Sequence, residues 1–175
     1  VLGVYSNSPK KEQIANKGKM QAFLRVKKSM PLPLDLKGLL PDVLRTQEAV
    51  DLADSELALS IGQIRHAQFW FINKTAIDNI AFNHLLSGNI DSAIEMWRKS
   101  TNMSSLQNLF VCYLIKEDYG VAISDCAVPL YSNFSDEFVS LIDEKVSLSV
   151  SELAEFIIET LANENINIAK IENSL

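Results

Sequence analysis

"AFNHLLSGNIDSAIEMWRK" (residues 81–99) and "FVCYLIKEDYGVAISDCAV" (110–128) are two versions of one pattern, aligned without gaps at an offset of 29 residues. Leu85 falls on Leu114, Leu86 on Ile115, Ile90 on Tyr119, Ala93 on Ala122 and Ile94 on Ile123. Each copy reads as a helix, a short polar turn ("SGNID", "KEDYG") and a second helix with alanine on its inner face. The small alanine lets two helices approach, and the larger residues fill the space between them. One such pair leaves its apolar face uncovered, so it stacks on a neighbour. The pattern predicts an all-α chain built from antiparallel helix pairs.

The helical period extends on both sides of the repeat. Ser8 or Asn7 is placed to cap a helix with Pro9 in its first turn, where the missing N–H costs nothing. Ile14, Met20, Phe23 and Leu24, with the stem of Lys17, trace one face of it to about Val26. Gly18 interrupts that helix at a cost of roughly 1 kcal/mol against alanine, which signals close packing or a weak middle. "KKSMPLPLDLKGLLPD" (27–42) carries three prolines and a glycine and reads as an extended connection. From Thr46 the period returns, with Val50, Ala53 and Leu57 on one face, and "QIRHAQFWFI" (63–72) reads as a helix wrapped on several sides. Beyond the repeat, Ser135 precedes the helical pattern "DEFVSLIDEKV", with Phe138, Leu141 and Ile142 on one face. Ser149 and Glu152 form a capping box. It opens a helix whose Leu153, Phe156, Ile157 and Leu161 would cover the end of the repeat pair. "NINIAKIENSL" (165–175) reads as a weaker helix or frayed end.

At 175 residues, with 47% hydrophobic and 22% charged residues, the chain has material for a packed core rather than a disordered tail. Its apolar runs are far shorter than a membrane-spanning helix requires. Charge is divided unevenly. Residues 1–50 hold 9 Lys/Arg against 4 Asp/Glu, and the remainder hold 7 against 18. The basic excess lies in Lys10, Lys11, Lys17, Lys19, Arg25, Lys27 and Lys28, which are the candidate partner-binding residues. They suit an acidic protein partner, or this protein's own acidic half. Nucleic acid is not expected, because no aromatic side chains interleave with the lysines to stack on bases.

Chemistry-bearing motifs are sparse. Cys112 and Cys126 lack metal-site spacing and read as inert core thiols, while His66 and His84 are isolated in sequence. Asp91 and Glu95 share a helix face that reads as a solvated acidic edge. There is no Gly-rich phosphate loop, HExxH, GxSxG or CxxC. The expectation is a non-enzyme with no cofactor, no metal and no membrane partner, located in the cytoplasm. The chain begins at Val1 rather than Met, so a removed targeting segment stays open.

Two stretches resemble known modules. "LGV" (2–4), the Ser-rich cap, "KEQI" (11–14), "EAVDLADSELAL" (48–59) and "IRHAQF" (64–69) resemble a J domain, the co-chaperone module named for bacterial DnaJ. In that family a His-Pro-Asp tripeptide beyond the basic helix is needed to stimulate the seventy-kilodalton heat-shock chaperone. Here the corresponding place reads "RVKKSMPLPLD" (25–35), with Pro31, Pro33 and Asp35 but no histidine. The resemblance therefore implies a fold and a basic face for a partner, without the trigger for ATP hydrolysis. Residues 76–131 are similar to tetratricopeptide repeats, through Gly88 in the turn, Ala93-Ile94 and Trp97. Most of the chain is also similar to proteins of Bacteroides-type gut bacteria. The expected layout is a J-like module over 1–73, tetratricopeptide-like pairs over 74–131 and capping helices over 132–175. The expected function is a non-catalytic scaffold or adaptor. A divergent co-chaperone and, more remotely, an enzyme are the alternatives.

Overall fold

The computed structural model describes residues 3–28 and 30–163. The terminal helix expected over 165–175 lies outside them, as does Leu2 of "LGV". The described residues form helices and no strand, apart from one isolated bridge between Lys37 and Leu40. The chain is all-α.

At its centre is α6 (Met103–Ile115), in which every side chain from Met103 to Tyr113 is buried. The repeat supplies its neighbours. α4 (Ala76–Leu86) and α5 (Ile90–Trp97) are the first pair. α6 and the helix that begins at Tyr119 are the second. Ala93 and Ala122 are both fully buried where the helices meet. The two turns match bond for bond. Gly88 N–H donates to Leu85 O and Asn89 N–H to His84 O; Glu117 N–H donates to Leu114 O and Asp118 N–H to Tyr113 O. These are Schellman caps with a left-handed residue at φ 81° in Gly88 and 58° in Glu117.

The second helix of the second pair departs from the expected plain helix. It starts as α7 (Tyr119–Val121), widens into a π-helical segment over Ala122–Ala127, and continues as α8 (Val128–Ile142). Pro129 explains the widening. It has no N–H to donate, and its ring crowds the carbonyl one turn back at Asp125, where the ladder opens. α8 is two helical stretches joined across a kink at Phe134, whose φ of -136° and ψ of 18° are not helical, so a second stretch begins at Ser135, where the sequence places a helix start.

Upstream, α1 (Lys10–Arg25) packs on α2 (Gln47–Glu56), and α3 (Ser60–Gln68) packs on α8 and α9 (Val150–Asn163). Thr46 caps α2 through Ala49 N–H, and Ser149 and Glu152 form the capping box that opens α9. Three sequence expectations need correction. Neither Ser8 nor Asn7 caps α1: Ser8 is buried, and Asn7 instead exchanges two hydrogen bonds with the backbone of Asn73. α1 buries Met20 with half-buried Gln13, Asn16, Lys17, Gln21 and Leu24, so Ile14 points outward. The helix expected over 63–72 ends at Gln68, because Gln107 Nε2 takes the carbonyls of Ala67, Gln68 and Trp70 and turns the chain. Phe69 and Trp70 are half-buried, and Phe71 and Ile72 enter the core as non-helical chain.

That core is one contiguous cluster, taking in Leu36, Ile64, Phe71, Trp97, Phe110, Leu130 and Leu161. Phe71, Phe82 and Trp97 pack with ring centroids 5.1–6.3 Å apart. Beneath them Asp78 is fully buried and receives six donors. Its Oδ2 accepts from Lys74 N–H, Thr75 N–H, Thr75 Oγ1 and Ser104 Oγ, and its Oδ1 from Trp97 Nε1 and Asn108 Nδ2. One carboxylate thus ties the start of α4 to α5 and α6.

Candidate protein-binding groove

The seven basic residues do not form one face. Lys17 Nζ pairs with Asp54 at 2.6 Å, holding α1 to α2. Lys10 is exposed at the start of α1, near enough to Asp143 for its charge to help lower that carboxyl. Lys11, Lys19 and Arg25 are exposed on other sides of the helix. Lys27 and Lys28 line a concave surface. They sit at the end of α1, where Lys27 N–H donates to Leu24 O and Lys28 N–H to Phe23 O, a third Schellman cap. Lys27 takes the left-handed position at φ 53°, which glycine occupies at least cost.

This turn closes one end of a groove of about 400 Å³. Met20 and Leu24 line it from α1, Met30 from the connection, and Val43 and Leu44 from the chain leading into α2. Its apolar side chains reach solvent: Leu44 is 80% exposed, Phe23 39% and Val43 38%, with Val26 beside them at 62%. Arg45 lines the other end and forks onto Asp35, with its Nη1 2.9 Å from Asp35 Oδ2. Leu32 N–H donates to the same carboxylate at 2.9 Å. Burial pushes the Asp35 carboxyl up, but hydrogen bonds from Arg45 and Leu32, with the Arg45 charge, outweigh it and hold the group below its ordinary 3.8. Asp35 is therefore a lock on the connection. Among the described residues no carboxylate lines the groove, so its described rim is cationic and its floor apolar.

The other residues singled out in sequence are dispersed. His84 is half-buried at the end of α4, and Asp91 pairs with Lys116 at 2.5 Å across the repeat. Glu95 is exposed. Cys112 and Cys126 are buried; burial pushes both thiols up, that of Cys126 to about 12. His66 meets Glu56 at 3.1 Å beside a second cleft. Among the described residues, no group of three or more His, Cys, Asp or Glu side chains is placed to hold a metal ion. None of the described helices is long and apolar enough to cross a membrane.

Sequence reasoning missed the apolar half of the groove. Val43 and Leu44 follow the proline-rich connection, on a short stretch with no period to mark which side they take. No protein-family model, curated protein or solved structure matches this chain.

Proposed function

We propose that the protein is a non-catalytic interaction scaffold that takes an acidic amphipathic segment of a partner protein in the groove at the end of α1. The observation that carries this reading is the pairing of exposed Leu44, Phe23 and Val43 with Lys27 and Lys28 on the rim. An amphipathic helix laid there buries its apolar face on the floor, while its carboxylates meet the lysines. Lys27 adds support. A lysine at a left-handed position costs about 1 kcal/mol relative to glycine, a cost that a charge used in binding explains.

The test is fluorescence anisotropy with a labelled Glu-rich amphipathic helical peptide and a Lys-rich counterpart of the same apolar pattern. Saturable, salt-sensitive binding of the acidic peptide is expected. Leu44→Ser or Lys27→Glu/Lys28→Glu should weaken it about tenfold, and Lys10→Glu/Lys11→Glu should leave it unchanged. Equal binding of both peptides would refute the groove's charge selectivity.

A second reading is a divergent co-chaperone that docks on the seventy-kilodalton heat-shock chaperone through the basic helix. The exposure of Lys11, Lys19 and Arg25 on α1 favours it. Stimulation of the chaperone's steady-state ATPase, abolished by Lys19→Glu/Lys28→Glu, would establish it over the scaffold. Lys17 is left out of that variant because its ammonium is committed to Asp54.

A further inference from the structure

A cleft of about 310 Å³ opens on the other side of α2, between the N-terminal residues 3–6 and the corner where α2 gives way to α3. The corner is set by a close backbone approach. A Cβ on Gly62 would lie 1.9 Å from Glu56 O, so only glycine lets α3 close on the end of α2. That closure puts Glu56 Oε2 3.1 Å from His66 Nε2 at the cleft. The N-terminal residues are held in place by Trp70 Nε1, which donates to Val4 O at 2.8 Å, and by Ser6 N–H, which donates to Phe71 O at 2.9 Å.

The lining is rich in acceptors and aromatic surface. Gln13 and Gln63 each commit an amide N–H to a backbone carbonyl, of Ser8 and Leu57, which leaves their oxygens for a ligand. Among the described residues that line the cleft, Glu56 is the one carboxylate and none is a lysine or arginine, and Phe69 and Trp70, both partly exposed, add aromatic surface. Rings and a carboxylate together attract a cation, and the apolar walls favour a ligand with a hydrocarbon body. The volume is at the small end for ligand sites, enough for one ring and a short chain.

We propose that this cleft binds a small organic ammonium ion, its charge at Glu56 and its apolar body against Trp70 and Phe69. The site is separate from the groove at the end of α1 and does not depend on that reading.

The probe is 2-phenylethylamine, compared with 3-phenylpropionate as its anionic counterpart. The chain has two tryptophans, and Trp97 is fully buried, so a ligand-dependent change in fluorescence reports Trp70. Saturable binding of the amine with Kd on the order of 1 mM is expected, at least about tenfold tighter than that of the acid. Glu56→Gln should remove most of that preference without changing the melting temperature, since Glu56 is about half exposed. Glu56→Lys should reverse the preference toward the acid. The proposal falls if the amine gives no saturable response, if the acid binds equally well, or if Glu56→Lys leaves the order of affinities intact.

Discussion

Asp78 shows how much one side chain can organise. It stands three residues after Thr75, a spacing that reads locally as nothing more than a capping box. The fold returns Trp97, Ser104 and Asn108 to the same carboxylate, and these lie 19, 26 and 30 residues away. Asp78→Ala would leave six donors to find other partners, three of them buried, and is expected to destabilise the protein by about 3–5 kcal/mol in urea unfolding. A loss below about 1 kcal/mol would mean that the donors re-pair locally. The Thr-x-x-Asp spacing was available in the sequence as a signal for the cap. The hub was not, because its other donors come from two later helices.

The helices differ in how far their own residues account for them. α9 begins at the capping box its sequence announces, and α2 at Thr46, because each cap is a bond between residues three apart. α1 does not follow its apolar residues. Ile14 is 67% exposed, while the Lys17 stem lies half-buried against α2. A weakly amphipathic helix is oriented by what it meets, here the Asp54 carboxylate and the contact that buries Met20. Two glycines test the distinction between open and closed positions. Nothing lies within 4 Å of a Cβ added to Gly18, so Gly18→Ala should stabilise the protein by roughly 0.5–1 kcal/mol. Gly62→Ala should destabilise it by about 1–3 kcal/mol or more, because the added methyl meets the Glu56 carbonyl. Opposite shifts in the urea midpoint are the expected outcome. Stabilisation by both would show that the α2–α3 corner relaxes freely.

Across the whole molecule, three carboxyls far apart in the fold act in the same direction on acid stability. Asp35 is lowered as described; the Ser60 hydroxyl and Lys145 N–H lower Asp143; the Ser149 hydroxyl and N–H lower Glu152. Each group holds its proton less tightly folded than unfolded. Its contribution is therefore complete above the ordinary values of 3.8 and 4.5 and is lost as pH falls through the lower folded values. The urea midpoint is expected to stay level from neutral pH to about 5 and to fall below about pH 4. A midpoint unchanged at pH 3 would contradict the assignment. One of these bonds also joins distant parts of the chain. Ser60 donates to Asp143 across the α3–α8 contact, and Arg65 lies 4.1 Å over the Phe156 ring while pairing with Glu159 at 3.0 Å. Acid should therefore loosen the seam between the early and late helices.

The amino-acid order alone established the helical class, the 29-residue pairing of helix hairpins, the return of the helix at Thr46, the cap at Ser149, and the burial of both thiols. All of these rest on interactions within one or two turns, or on the apolar period itself. Three-dimensional packing settled the outward side of α1, the end of α3 at Gln68, the Asp78 hub and the two concave surfaces. Each of those brings together groups that no local spacing relates. The groove joins α1 to Leu44 across a proline-rich connection, and the cleft joins Tyr5 to Trp70. Such juxtapositions are set by which helix faces meet, and that is a property of the assembled core.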